Sequence, residues 1–283
     1  MRRAELVVLA LLAIGAACGG AALALGLNGH RISGVGRAAA PRRPAPPPPP
    51  TVMDSAGCRP PAQHPDPVAL VHGTFGLTSW TLIGPALARL GYCVFTIAYG
   101  GAGTMDIGIS AHQLGRDVDR ILALTKARHV AIVGHSEGGL MPRYYIKRLG
   151  GAGKVSDLVG LAPSNHGTTN PLALAGAIAG CTACGQQLAW GSTFLQRLNA
   201  GNETPPPVDY TVVETRYDQV VTPYESAFLN GTRARVTNVT LQDRCPADTV
   251  GHLDVPIDPV ALQWVENALA VPGPADPRFR PTC

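Results

Sequence analysis

One serine in the sequence lies in a pattern typical of enzyme nucleophiles. Ser136 stands between Gly134 and Gly138, where an apolar run that predicts a buried strand meets a segment that predicts a helix. A strand that turns directly into a helix leaves room only for small side chains on either side of the bend. The bend would expose the Ser136 hydroxyl at the start of the helix, where the backbone N–H of Glu137 is free to stabilise an oxyanion. We therefore predict that Ser136 is a nucleophile and that Glu137 contributes its backbone rather than its carboxylate.

A serine nucleophile needs a base, and the base is usually a histidine that an acid orients. His166 and His252 follow Ser136 in the chain. His166 comes directly after the next predicted strand, and the chain offers no acid between Asp157 and it. His252 lies in a late loop before the last predicted helix, which fits the chain order serine, acid, histidine. We predict His252 as the base and assign His166 to a pocket wall or to the hinge of an insertion.

The predicted acid is Asp218, because it follows the predicted strand Tyr210–Thr215 and so lies at the carboxyl end of that strand. Reactive groups in open α/β sheets gather at this edge. Other acids of the region are less well placed, and a solvated surface role is expected for each of them: Asp209, Glu214, Asp243 and Asp248.

The second donor to an oxyanion has to come from another loop. Val71-His72-Gly73-Thr74 ends the first predicted strand, and Gly73 would let the following backbone approach a substrate carbonyl. We assign the backbone N–H of Thr74 to this role, with that of Phe75 as the alternative. His72 is expected to shape the loop rather than act as a base.

The elements that must position these residues alternate along the chain. Predicted strands are Val68–Val71, Cys93–Ala98, Val130–Val133, Leu158–Leu161, Tyr210–Thr215 and Val236–Leu241, and predicted helices are Leu82–Leu90, Ala111–Ala127, Leu140–Leu149 and Val260–Leu269. Strands that are apolar almost throughout and alternate with helices indicate an α/β fold, with a mostly parallel sheet flanked by helices. The Ala-, Gly- and Leu-rich stretch Pro171–Leu198 interrupts this rhythm and reads as an insertion.

Several segments together resemble the class 2 lipases of bacteria, especially exported actinobacterial ones, over roughly residues 67–259. They are the Val71–Thr74 and Ile132–Gly139 stretches, Pro142–Lys147, Leu161–Thr168, Gly191–Leu195 and Asp218–Pro223. The resemblance implies an α/β-hydrolase fold with a lid-like insertion after the strand that follows the nucleophile. It also implies hydrolysis of acyl esters, including acylglycerols, through an acyl-enzyme on Ser136, and it supports Asp218 and His252. Glu137 departs from the family, in which Gln is common at this position.

No cofactor is predicted. Some related lipases carry a calcium ion near the histidine loop, and Asp254 and Asp258 could be ligands. Two carboxylates do not define a calcium site.

The first part of the chain predicts export. Arg2 and Arg3 precede a charge-free run from Leu6 to Leu27, so residues 1–27 read as a signal peptide or a membrane anchor that would tether the protein. Lipidation at Cys18 is a weaker alternative. Residues 28–57 are proline-rich and predict a disordered spacer, which leaves residues 58–283 as the catalytic domain.

The net charge of +4 belongs to this leader and gives no sign of a nucleic-acid partner. Residues 1–50 hold six of the 23 basic side chains and one of the 19 acidic ones, so the remainder carries 17 basic and 18 acidic side chains.

Apart from Cys18 of the leader, the chain has six cysteines. An even number in an exported chain indicates disulfides. We predict pairing between sequence neighbours: Cys58 with Cys93, Cys181 with Cys184, and Cys245 with Cys283. The Cys181–Cys184 spacing also occurs in redox motifs, but the surrounding sequence favours a local staple.

These observations predict a secreted or envelope-associated ester hydrolase, a lipase or carboxylesterase, whose partner is an ester or acylglycerol substrate, in some cases at a lipid interface. Two other functions stay open. An envelope acyltransferase would use the same three residues, and a non-catalytic protein would bind lipid only.

Overall fold

The computed structural model describes residues 57–283. The predicted leader (residues 1–27, with Cys18) and all but the last residue of the predicted spacer (residues 28–57) therefore lie outside the described residues. The strands are β1 (Val68–Val71), β2 (Val94–Ile97), β3 (Val130–His135), β4 (Val155–Leu161), β5 (Asp209–Glu214) and β6 (Val236–Thr240). The principal helices are α1 (Ile83–Arg89), α2 (Ile107–Thr125), α3 (Glu137–Arg148), α4 (Pro171–Ile178), α5 (Thr182–Gln186), α6 (Thr193–Asn199) and α7 (Pro259–Ala270).

The six strands form one sheet in the order β2-β1-β3-β4-β5-β6, and every neighbouring pair is parallel. The register aligns the carboxyl ends of the central strands, with Val71 beside Gly134 and His135 beside Leu161. The loops that leave β1, β3 and β5 therefore emerge at the same edge. The predicted α/β architecture with a parallel sheet is confirmed.

Both faces of the sheet are buried because helices pack on each of them. Alternate strand residues point to opposite faces and therefore join different cores. Ala69 and Val71 join a core that includes Leu114 of α2 and Leu140 of α3. Val68 and Leu70 face the opposite core, which includes Leu87 of α1 and Trp264 of α7. This double burial explains why the strands are apolar almost throughout.

Helix α3 begins at Glu137, three residues before the predicted start at Leu140. The predicted start rests on the spacing of apolar residues, and Glu137, Gly138 and Gly139 carry no large apolar side chain. The earlier start matters for the site, because it puts the first turn of the helix directly after Ser136.

The insertion between β4 and β5 folds as three short helices, α4, α5 and α6. Its first helix, α4, has no buried residue although its sequence is almost wholly apolar. The second helix is stapled at its start by the Cys181–Cys184 disulfide.

The structure contains all three predicted disulfides, Cys58–Cys93, Cys181–Cys184 and Cys245–Cys283. Cys58–Cys93 ties the start of the described chain to the residue before β2, and Cys245–Cys283 anchors the last residue. Three disulfides are consistent with an extracellular protein. Among residues 57–283, none of the helices combines the length and the apolar character that a membrane span requires.

Candidate active site

Ser136 lies on a tight bend between β3 and α3. Its backbone adopts φ 56° and ψ −122°, a left-handed conformation that is costly for a residue with a side chain. A Cβ atom added at Gly134 would lie 1.9 Å from the Gly138 carbonyl oxygen, and one added at Gly138 would lie 2.2 Å from that of Val71. Both glycines are therefore required by close backbone crossings, and the bend holds Ser136 at the amino end of α3.

Asp218 and His252 meet at the same edge of the sheet. Asp218 follows β5, and His252 opens a short 3₁₀ segment before α7. The Nδ1 atom of His252 lies 2.6 Å from Oδ2 of Asp218, and both side chains are almost wholly buried. A buried carboxylate at this distance favours the imidazole tautomer that carries its proton on Nδ1 and leaves Nε2 free to accept one.

The other carboxylate oxygen of Asp218 is held by the backbone. Oδ1 accepts hydrogen bonds from the N–H groups of Val220 and Val221, each at 2.7 Å. Fixed groups therefore hold both carboxylate oxygens, and the orientation of the side chain toward His252 is set by the loop after β5.

His135 connects the nucleophile bend to the histidine loop, a role that the sequence analysis did not assign. Its Nε2 lies 2.9 Å from the His252 carbonyl oxygen, and its Nδ1 lies 2.8 Å from Oγ1 of Thr78. Burial holds the pKa of His135 well below its usual value, with the neighbouring His252 adding to the effect. A neutral ring then donates from Nε2 to the carbonyl and accepts from Thr78. The two histidine rings lie 4.8 Å apart.

The loop after β1 packs against the nucleophile. A Cβ atom added at Gly73 would lie 2.9 Å from Cβ of Ser136, so only glycine allows this approach. Thr74 follows, and Phe75 takes a left-handed backbone with φ 65°. Within residues 57–283, the backbone N–H groups of Thr74, Phe75 and Glu137 have no hydrogen-bond acceptor. The predicted oxyanion donors Glu137 and Thr74, and the alternative Phe75, therefore each have a free N–H group in the two segments that meet at Ser136.

The side chain of Glu137 is buried, and the oxyanion loop contacts it. Its Oε2 accepts a hydrogen bond of 2.6 Å from the hydroxyl of Thr74 and a longer one of 3.4 Å from the amide of Gln187 in the insertion. Burial raises the pKa of Glu137 to about 8. This contact of the side chain adds to the role that the sequence predicts for the backbone of Glu137.

The expectation that Glu214 is a solvated surface residue is wrong. Its side chain is fully buried at the end of β5, and its Oε1 accepts the backbone N–H of Thr215 at 2.7 Å. Burial raises the pKa of Glu214 well above its usual value, and the negative charge of Asp218 adds to this. Strand alternation turns this side chain inward, which its polarity alone did not reveal. In contrast, Asp243 is exposed beside Arg216, as expected.

The remaining histidines near the edge are occupied elsewhere. The ring nitrogens of His166 lie 3.0 Å from the Ser226 carbonyl oxygen and 3.2 Å from a carboxylate oxygen of Glu203. His72 bonds Gly73 and stacks on Tyr99 with a ring separation of 4.5 Å, which fits a loop-shaping role.

The two carboxylates considered for calcium do not form a ligand cluster. Asp258 instead caps α7 by accepting the backbone N–H of Ala261 at 2.7 Å. In the part of the chain that the structure describes, no group of three or more His, Cys, Asp or Glu side chains is arranged to hold a metal ion.

The insertion is attached to the loop that carries Asp218. The amide of Asn170 donates to the Gln219 carbonyl at 2.6 Å, and the backbone N–H of Thr169 donates to that of Thr222 at 2.8 Å. These contacts place the apolar helix α4 next to the candidate site. Ile178 on that helix is 80% exposed.

The chain is similar to known lipases. The family model described as lipase (class 2) matches residues 65–265. Aspergillus fumigatus lipase B is similar in structure, with a TM-score of 0.66 and 26% sequence identity over 76% of this chain. The match covers 55% of that lipase, so this chain spans just over half of its length.

The mature form of Bacillus licheniformis lipase BlEst2 has a TM-score of 0.52 at 17% identity, over 64% of this chain and 84% of that one, and supports the fold alone. The α/β-hydrolase fold predicted from the sequence is thereby confirmed. The chain belongs to the class 2 lipase family.

Proposed function

We propose that this protein is an exported serine esterase that hydrolyses apolar acyl esters, acylglycerols among them, through an acyl-enzyme on Ser136. The observation that carries the proposal is the pairing of a buried His252 with a buried Asp218 at 2.6 Å, on the sheet edge where Ser136 stands on its strained bend. A buried imidazole with an oriented Nδ1–H is the base that a serine hydroxyl needs.

The reaction begins when Nε2 of His252 takes the proton of Ser136 as Oγ attacks the ester carbonyl. Asp218 stabilises the imidazolium that forms. The backbone N–H groups of Glu137 and Thr74 receive the oxyanion, and each such donor contributes roughly 3 kcal/mol to the transition state. The alcohol leaves with the proton from His252. A water molecule, deprotonated by the same histidine, then attacks the acyl-enzyme; the acyl C–Oγ bond breaks, Oγ of Ser136 takes the proton back from His252, and the acid is released.

The insertion supplies the apolar surface that an acyl chain or a lipid interface requires. Leu172, Leu174 and Ile178 of α4 are all exposed, and the contacts of Asn170 with Gln219 keep this helix beside the Asp218 loop. Exposed apolar patches of this kind mark binding surfaces for lipid or apolar ligands. The insertion acts in this proposal as the lid-like cover expected from the family resemblance.

The test is the hydrolysis of p-nitrophenyl esters of increasing acyl length by the parent protein and by Ser136→Ala. We expect the variant to lose at least about three orders of magnitude in kcat at every chain length. Equal rates for the parent protein and Ser136→Ala would show that Ser136 is not the nucleophile. Product analysis with and without an added alcohol separates hydrolysis from acyl transfer, because a transferase would form the new ester in preference to the free acid.

A further inference from the structure

Glu137 differs from the other residues of the site because its carboxyl group joins three separate elements. Thr74 reaches it from the loop after β1, Tyr99 from the loop after β2, and Gln187 from the insertion. Gln187 also donates to Oγ1 of Thr74 at 3.0 Å. A residue of the oxyanion loop and a residue of the insertion thus meet on the side chain that follows the nucleophile.

The surroundings of this carboxyl group are suited to a neutral acid. The side chain has no exposed surface, and its Oε1 has no hydrogen-bond partner among residues 57–283. The facing groups are Thr74, Tyr99 and Gln187, with Gly103 packed against Oε2, and none of them is a cation. A buried carboxylate without a positive partner is costly, so the protonated form is favoured.

Tyr99 and its partner His72 bring no positive charge to the Glu137 carboxyl group. The Tyr99 hydroxyl donates to the His72 carbonyl oxygen at 2.8 Å. His72 stacks on the Tyr99 ring, and burial lowers the pKa of His72, so this imidazole brings no positive charge to the cluster. The hydrogen bonds that Thr74 and Gln187 donate favour the carboxylate, but the cost of burying a charge without a cation is larger, so the carboxyl group keeps its proton at neutral pH.

We propose that the Glu137 side chain is a positioning residue that works as a neutral acid: it fixes Thr74 beside Ser136, and its ionisation switches the oxyanion site off. The charge matters because the backbone N–H of the same residue is one of the two oxyanion donors. A carboxylate that is hydrogen-bonded to Thr74, the residue that supplies the second donor, repels a developing oxyanion through a medium that screens poorly. The pKa of about 8 places this loss of activity in the mildly alkaline range.

The experiment measures kcat against pH from 6 to 10 with p-nitrophenyl butyrate, corrected for spontaneous hydrolysis, and rests on the proposed esterase function. For the parent, we expect kcat to fall about tenfold to a hundredfold with a midpoint near pH 8. For Glu137→Gln, which keeps the shape and cannot ionise, the ratio of kcat at pH 9.5 to kcat at pH 7 should stay near one. Glu137→Leu should lower kcat at all pH values with little change in KM, because Thr74 loses its acceptor.

Two further variants separate this carboxyl group from others that are buried. Burial raises the pKa of Asp157 to about 7, but this residue starts the pairing of β4 with β5 at the opposite edge, so Asp157→Asn should keep the parent's pH profile. Glu214→Gln tests the carboxyl group next to Asp218 and should also retain the alkaline fall. The proposal is overturned if Glu137→Gln declines like the parent, or if Glu214→Gln abolishes the decline.

A readout that is independent of turnover distinguishes this proposal from the proposed function. Difference infrared spectra of the parent should show a carboxylic-acid carbonyl band that disappears with a midpoint near pH 8 and is absent in Glu137→Gln. If this band titrates but no ester is hydrolysed, the esterase proposal fails and the neutral acid stands. If esters are hydrolysed but Glu137→Gln retains the band, the assignment of the neutral acid to Glu137 is wrong.

Discussion

Replacing Asp218 with Asn forces a choice between two sets of hydrogen bonds. In the parent, Oδ1 accepts from the backbone N–H groups of Val220 and Val221 at 2.7 Å each, and Oδ2 faces Nδ1 of His252 at 2.6 Å. An asparagine has one acceptor oxygen and one donor group, so it can satisfy only one side as the aspartate does.

The amide should turn its oxygen toward the backbone. The opposite orientation would leave two buried N–H groups facing a donor, at a cost of about 1–3 kcal/mol each. With the oxygen toward Val220 and Val221, the amide NH₂ faces Nδ1 of His252, which must then accept a hydrogen bond. The ring proton moves to Nε2, and the imidazole can no longer take the proton of Ser136. The expected loss in kcat is about 10⁴-fold, equivalent to roughly 5.5 kcal/mol in the barrier.

The assay is steady-state hydrolysis of p-nitrophenyl butyrate at neutral pH, combined with the midpoint of urea unfolding. We expect a fold of nearly parental stability, with kcat reduced about 10⁴-fold and KM little changed. Asp243→Asn is the matched control, because Asp243 is exposed beside Arg216 and should leave kcat within about twofold. A folded Asp218→Asn protein with more than a tenth of the parental kcat, or an equal loss in Asp243→Asn, would refute the reasoning.

Two other predictions concern stability. Gly134→Ala should prevent folding or destabilise the protein by more than about 4 kcal/mol, because the new Cβ would lie 1.9 Å from a backbone oxygen. The control Gly153→Ala should fold normally, because nothing lies within 4 Å of its added Cβ. Equal yields and equal unfolding midpoints for the two variants would contradict the close backbone crossing at Gly134. Replacing both Cys58 and Cys93 with Ser opens a loop with a sequence separation of 35 and should lower the free energy of unfolding by about 4 kcal/mol, against about 1.5 kcal/mol for the Cys181–Cys184 pair with its separation of 3. Denaturant unfolding measures both losses, and the reverse ranking would show that loop closure does not determine them.

Local patterns predicted the sheet well because its strands are buried on both faces. Apolar runs located β1 and the other strands within a few residues, and the two glycines around Ser136 predicted the bend that their close backbone contacts require. The start of α3 was predicted too late, because Glu137 opens the helix without contributing to the apolar pattern.

The polar residues inside the protein were harder to predict, because their burial depends on neighbours from distant parts of the chain. Glu137 and Glu214 are charged residue types with no exposed surface, and only the packing of the insertion and of the Asp218 loop makes them so. His135 had one signal that was available in the sequence. A polar side chain in an otherwise apolar strand needs hydrogen-bond partners, and here they are Thr78 and the backbone of His252.

In the proposed mechanism, Ser136 becomes covalently acylated in every turnover. The direct measurement is the intact mass of the protein after reaction with a p-nitrophenyl alkylphosphonate, which leaves a stable adduct on an activated serine, followed by peptide mapping. We predict one adduct per chain, located on Ser136, none on Ser136→Ala, and markedly slower labelling of Asp218→Asn. An adduct on another residue, or an active enzyme that stays unlabelled on Ser136, would contradict the account.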